Sequence, residues 1–192
     1  MADSSTGGYL IPSGTPPLDD QALDRFFHDL FVGVTGLDPT LVRPRWQPQP
    51  GNMPGRAVNW MAQGVVAMRD DGVPWKEFQQ GTETYILCRN QIIVNRLSFY
   101  GPSAGETEAL LRDGLGIDQN REVINAQGIP LVRVGDPRVL PVLLNEQWAR
   151  RIDVEVTFRR LISRTYPVLS ILSGEVELET DTGLVDNIII TQ

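Results

Sequence analysis

Lysine is nearly missing from this chain: Lys76 is the single one, so sixteen of the seventeen basic residues are arginine. Arginine keeps its charge when partly buried and makes planar, bidentate contacts. The bias suits an interface, and equally a GC-rich coding sequence. Cysteine and histidine are as scarce. Cys88 and His28 stand alone, which excludes an intrachain disulfide and a Cys/His zinc site. No apolar run nears the roughly 18 residues of a membrane span. The opening segment MADSSTGGYLIPSG has neither the basic nor the apolar stretch of a secretory signal. The expectation is a soluble protein made in a cytoplasm, with no membrane partner. Positive charge is in deficit, 17 basic against 24 acidic residues, for a net −7. Phosphate binding needs a basic face, so sequence-specific nucleic acid is not an expected partner, although a local basic patch stays open. A P-loop, a dinucleotide fingerprint, an H-E-x-x-H helix and an EF-hand loop are all missing. No cofactor or metal is expected.

What is present suffices for one domain with a core: 192 residues, 41% of them apolar. Residues 1–17, rich in Gly, Ser, Thr and Pro, read as a flexible arm. Residues 18–180 read as a single domain and 181–192 as an extended C-terminal arm. Leu23, Phe26, Phe27, Leu30, Phe31 and Val34 recur at three-and-four spacing and predict a core helix. Asp19 or Asp20 is its expected cap and Gly36 its end; His28 lies off the stripe and is expected to face solvent. Five prolines between 37 and 55 predict an extended path, with Trp46 in its middle. Residues 57–69 favour a strand over a helix because of Gly64. Residues 84–100 read as a long strand with a bulge or turn near Asn90. Two helices are expected at 104–116 and 119–127, with Asp118 capping the second and Gly128 ending it. Residues 129–134 follow as a short strand. Ile152, Val154, Val156 and Phe158 alternate with Asp153, Glu155 and Thr157, the pattern of a half-buried strand. After Pro167, strands are expected at Val168–Leu172 and Glu175–Thr180, split by Gly174, and then a β-branched end, LVDNIIITQ. The order predicts an α+β domain, a mainly antiparallel or mixed sheet with helices packed on one face.

Four groups of residues are candidates for chemistry or contact. Gly101-Pro102-Ser103-Ala104-Gly105 fits G-x-S-x-G between a strand and a helix, as a nucleophile elbow does. A serine hydrolase of that type needs a His after the Ser, and none follows Ser103. The alternative is a plain turn with Ser103 as helix N-cap and Glu106 closing a capping box. Arg150, Arg151, Arg159, Arg160 and Arg164 form a candidate basic patch, suited to subunit pairing or to local pairing with Glu155. Glu175, Glu177 and Glu179 recur at every second position. They predict one acidic strand face, either solvated or lining a channel. Trp46 and the run Ile188, Ile189, Ile190 are candidate partner contacts, since an apolar tail in water is costly.

A series of short blocks carries a family resemblance. They are Ser98-Phe99-Tyr100-Gly101-Pro102, Leu111-Arg112-Asp113-Gly114-Leu115, Asn120-Arg121-Glu122, Val134-Gly135-Asp136, Leu144-Asn145-Glu146-Gln147-Trp148 and Arg164-Thr165-Tyr166-Pro167, with Asn59-Trp60-Met61-Ala62 fitting more loosely. In order and spacing they resemble the phage neck (tail) terminator family of contractile-tailed bacteriophages. The resemblance implies a non-enzymatic α+β virion subunit, assembled in the bacterial host cytoplasm, that forms a ring, usually of six. Such a ring caps the tail tube and joins tail to neck for genome passage. It implies as partners further copies of itself, tube and sheath proteins, and a neck, collar or head-completion protein. No catalytic residue is implied. A serine hydrolase using Ser103, or a tube- or sheath-type protein of a contractile machine, are the competing readings.

Overall fold

The computed structural model describes residues 8–47, 53–144, 147–168, 173–179 and 185–191. The elements follow in the order α1 (Asp20–Thr35), a 3-10 turn (Pro39–Leu41), β1 (Val42–Pro44), β2 (Trp60–Asp70), β3 (Trp75–Gln79), β4 (Thr84–Tyr100), α2 (Ala104–Gly116), α3 (Asp118–Ala126), β5 (Leu131–Val134), β6 (Arg138–Leu144), β7 (Gln147–Pro167), β8 (Ser173–Glu179) and β9 (Val185–Thr191). The seven-stranded sheet runs β1-β2-β4-β7-β5, with β3 beside β4 and β6 beside β7, and β8 and β9 form a separate two-stranded sheet. The architecture is α+β, as the pattern predicts.

The chain divides into two compact units. The larger comprises residues 16–75 and 88–163. Its core is made where the helices meet one face of the sheet: Leu23, Phe27 and Phe31 from α1, Leu111 and Leu115 from α2, Ile124 from α3, Met61 from β2, Ile93, Leu97 and Phe99 from β4, and Val154, Val156 and Phe158 from β7. Each such fully buried side chain contributes about 1.5–3 kcal/mol. Phe27 packs on Phe31 and on Phe158, with ring centroids 6.0 and 4.8 Å apart. The predicted aromatic stripe of α1 is thus that helix's contribution to the core. β2 and β4 are antiparallel, with Trp60 opposite Tyr100. The pairs Cys88–Ser163, Gln91–Arg160 and Arg96–Glu155 run in opposite senses along β4 and β7, so these long strands are antiparallel too. β1 joins β2 in parallel.

The smaller unit gathers the described parts of residues 1–15, 76–87 and 164–192. In it, Lys76–Gln79 of β3 lies beside the start of β4. Phe78 leans on Tyr85 at 5.1 Å, and the Lys76 ammonium sits 5.7 Å from the same ring. Ser13 bridges to Thr165 through an N–H donated at 2.7 Å. β8 and β9 pair in antiparallel register from Ser173–Thr191 to Glu179–Val185.

Several local expectations need correcting. No turn interrupts β4 at Asn90, which lies inside the continuous strand Thr84–Tyr100. Gly174 lies inside β8 rather than ahead of it; residues 169–172 of the strand expected before it lie outside the described residues. β1, β3 and β6 were not anticipated. Asp19 occupies the N-cap position of α1 but gives no cap bond, since its carboxylate is taken by Arg160. The capping box at α2 is not formed: the Ser103 side chain makes no cap bond. Its place is taken by Asn59, whose Oδ1 accepts the Ser103 N–H at 2.9 Å. Asp118 begins α3 without capping it, and Ile117 holds the N-cap position. His28 is half-buried rather than solvent-facing.

Two of these positions carry predictions. Gly101 has φ +106, and a Cβ there would lie 2.5 Å from the Val58 carbonyl oxygen and from Asn59 Oδ1. Gly101→Ala is expected to cost about 2 kcal/mol or more, read as a lower urea midpoint; a midpoint unchanged from the parent would show that the turn relaxes freely. His28 faces two acceptors, Asp29 Oδ1 at 3.0 Å and the Pro39 carbonyl at 3.1 Å. Only a doubly protonated ring serves both. Burial pulls its pKa down, but the Asp29 hydrogen bond, the Pro39 carbonyl and the Asp29 charge outweigh it, and the net shift is upward. A raised folded-state pKa stabilises the fold below the unfolded value of about 6.5, and this is lost as pH rises through the folded pKa. Stability should therefore decline across that window, and the decline should vanish in His28→Gln. Equal pH slopes in the two proteins would refute this role.

Candidate functional site

The sheet face opposite the helices is charged. In β7, the residues alternating with the core row are Arg151, Asp153, Glu155, Thr157 and Arg159, and Arg96 of β4 stands beside Glu155. Arg96 meets Glu155 at 2.6 Å, Arg151 meets Asp153 at 2.9 Å, and Arg159 meets Asp71 at 3.1 Å. Arg96, Glu155 and Arg159 are each more than 40% exposed in their side chains, so the Arg96–Glu155 and Arg159–Asp71 pairs are wet. They contribute little stability each. Arg133, Arg138 and Asp136 complete a polar cleft of about 280 Å³ on this face. At the β1 end, Arg45 crosses over Gly64, where a Cβ would come within 2.9 Å of the Arg45 Cβ. Burial pulls the Arg45 pKa down, opposed by the nearby Asp153 carboxylate. Among the described residues its Nε has no hydrogen-bond partner.

A second cleft, of about 420 Å³, opens between the β2–β4 end and β7. The register that sets Trp60 opposite Tyr100 stacks their rings at 4.1 Å and 6°. Trp148, 68% exposed, and the exposed Arg150 form the far wall. Arg56 reaches across to donate to the Trp148 carbonyl at 3.4 Å. Two guanidiniums and no carboxylate line it.

The arginines expected to form one patch are therefore in different places. Arg150 borders the aromatic cleft, and its side chain makes no ion pair or hydrogen bond among the described residues. Arg151 and Arg159 are on the charged face, each with a carboxylate, and Glu155 is taken by Arg96 rather than by any of them. Arg160, 5% exposed, points inward to Asp19, Gln91 and the Leu18 carbonyl. Arg164 is half-buried in the smaller unit. Trp46 is 69% exposed and donates its Nε1–H to the Val65 carbonyl at 3.4 Å. On the hairpin backbone, Glu175, Glu177 and Glu179 stand opposite Ile189, Asn187 and Val185, so the three share one face. Ile188 and Ile190 stand opposite Val176 and Gly174 and belong to the other. The aromatic cleft was not anticipated. Its one sequence signal is Trp148 beside Arg150 in a strand whose alternation puts even positions on the helix side.

Hydrolase chemistry finds no support at Ser103. The serine backbone is ordinary, φ −105 and ψ 30, and the strain of the turn sits at Gly101. The only histidine is held on α1 by Asp29 and Pro39. Among the described residues no group of His, Cys, Asp and Glu is placed to hold a metal, and no helix is long and apolar enough to cross a membrane.

The blocks quoted from the sequence turn out to be joints of the fold. Arg112 pairs with Glu108 at 2.8 Å and donates to the Gly135 carbonyl at 2.8 Å, joining two blocks. Asn120 and Arg121 donate to the Gly114 and Leu115 carbonyls, both at 2.8 Å, and so cap the end of α2. A Cβ on Gly114 would meet Val34 Cγ1 at 2.6 Å, which is how α1 and α2 approach closely. Asn59 secures the Gly101 turn. Asn145 and Glu146 lie outside the described residues. No curated protein matches the chain. Residues 21–182, which contain all these joints, match the family model described as phage neck terminator protein, and the chain belongs to that family.

Proposed function

We propose that this chain forms a closed ring, a hexamer, that ends the tail tube and joins the tail to the neck of a contractile phage particle. Membership of the neck terminator family over residues 21–182 carries the reading; a structural role at the tail and neck of the virion comes with it. The finer steps rest on physical argument. A two-stranded sheet such as β8–β9 is marginal alone and gains by contact with a neighbour. A contact that uses different surfaces on its two sides closes into a ring when the rotation allows. In this reading residues 1–17 and 181–192 are arms around a domain at 18–180. Trp46, Arg150 and Ile188–Ile190 serve neighbouring subunits, and the Glu175–Glu179 face borders the channel. The partners are further copies, the tube and sheath, and a neck or head-completion protein, met in the host cytoplasm during assembly.

Negative-stain images of the purified protein test this. Discrete rings are the expected result, whereas open-ended tubes would identify a tube-type protein. A reconstruction of the intact neck with this chain as scattered single copies would overturn the ring.

A further inference from the structure

We infer that the aromatic cleft of the larger unit receives the N-terminal arm of a second copy, around Tyr9-Leu10-Ile11-Pro12. The inference rests on the ring reading and gives it a specific joint. On the receiving side are the stacked Trp60 and Tyr100, the exposed Trp148, and the guanidiniums of Arg56 and Arg150. Its volume, about 420 Å³, is that of a site for two or three side chains rather than a surface dimple. Aromatic walls with donors at the rim suit an extended, proline-containing segment, whose main-chain carbonyls accept hydrogen bonds while the rings take its apolar side chains.

The arm has the matching chemistry. Tyr9 is 98% exposed and Ile11 is 54% exposed, and residues 8–12 belong to no helix or strand. Bare apolar side chains on an unpaired segment are costly in water and mark a segment that ends up covered. Pro12, Pro16 and Pro17 keep it extended. Residues 9–12 carry no charged side chain, so the docking segment brings no like charge to a cleft that holds two arginines. Ser13 is the first residue tied down, through its bridge to Thr165. Tyr9, four residues before that tie, reaches at most about 14 Å from it when extended. In its own copy Tyr9 stays 98% exposed, so its cover is to come from a second copy that presents the cleft close to Ser13.

The test is cross-linking in a Cys88→Ser background. Full chains carrying Gly8→Cys are mixed with full chains carrying Ala149→Cys, treated with a short bis-maleimide, and imaged. A covalent dimer of the two chains is expected, with its yield reduced several-fold by Tyr9→Ala, which sits outside every element and leaves the fold alone. No dimer among well-formed rings overturns this inference and leaves the ring reading standing. A link that forms only within one chain, when both cysteines are on it, also overturns it, because the arm then covers its own cleft. A dimer without closed rings supports the arm contact and removes the ring; neither dimer nor rings removes both.

Discussion

Replacing Arg160 by methionine is expected to lower the unfolding free energy by about 3 kcal/mol. In a chain of this size that is a fall in Tm of about 6–12 °C. Arg160 is 5% exposed and Gln91 is 7% exposed. The guanidinium donates from Nε and Nη2 to Gln91 Oε1 at 2.9 and 2.8 Å, from Nη2 to Asp19 at 2.6 Å, and to the Leu18 carbonyl. It ties the entry of α1 to the middle of β4 and β7. Methionine fills much of the space but leaves the Gln91 and Leu18 oxygens without a donor. Asp19 is 41% exposed in its side chain and regains water, which holds the cost below that of a fully buried broken pair. Lysine would not rescue, because one ammonium cannot reproduce the planar fork. Gln91→Leu in the methionine background should recover part of the loss, since removing both partners spares the unsatisfied acceptor. A single variant within about 0.5 kcal/mol of the parent, the range of an ordinary surface change, would show that Arg160 is a surface charge after all. Arg150→Glu is the contrast: the residue is exposed, so a change within about 0.5 kcal/mol is expected there.

Arg160 also shows where the sequence was readable and where charge misled. The alternation at Ile152, Val154, Val156 and Phe158 is real and runs on: Arg160 and Ile162 keep the same parity and are buried. Period outweighs residue type in a strand, because the pleat fixes the face before the side chain chooses a partner. Reading FRRLISR by its charge alone placed Arg160 outside. The core stripe of α1, the long β4 and both later helices were legible from period and glycine. β1 and β6 were not. β1 has three residues in a proline-rich stretch and exists through its partner β2. β6 contains Pro141, which is tolerated because β7 is its only strand neighbour among the described residues. The aromatic cleft was illegible for another reason: Trp60, Tyr100 and Trp148 are distant in sequence, and only strand register brings them together. The Ser103 motif was legible as a motif, and the missing histidine already weighed against it. Geometry adds the reason for the glycine, which is the close approach of Asn59.

Changing Glu175, Glu177 and Glu179 together to lysine is expected to cut infectivity by about a hundredfold or more while tails still assemble. The register places these three residues on one face of the β8–β9 hairpin, opposite Ile189, Asn187 and Val185. If that face borders the channel of a ring, every copy presents the row and the field sums in the lumen. Carboxylates there repel the DNA phosphates, so the genome slides without being held. Three lysines per copy reverse the sign. Each ammonium that meets a phosphate releases counterions and adds roughly one unit to the salt dependence of binding, so DNA is gripped during ejection. Two signatures separate this from simple misfolding. Raised salt should speed DNA release from the variant particles, because it screens the new contacts. The triple change to glutamine should behave close to the parent, since a neutral lumen also fails to hold phosphate. Normal titre for the lysine variant, or a particle reconstruction with the Glu175–Glu179 face outward, would remove the acidic row from the channel and return it to the solvated exterior of the ring.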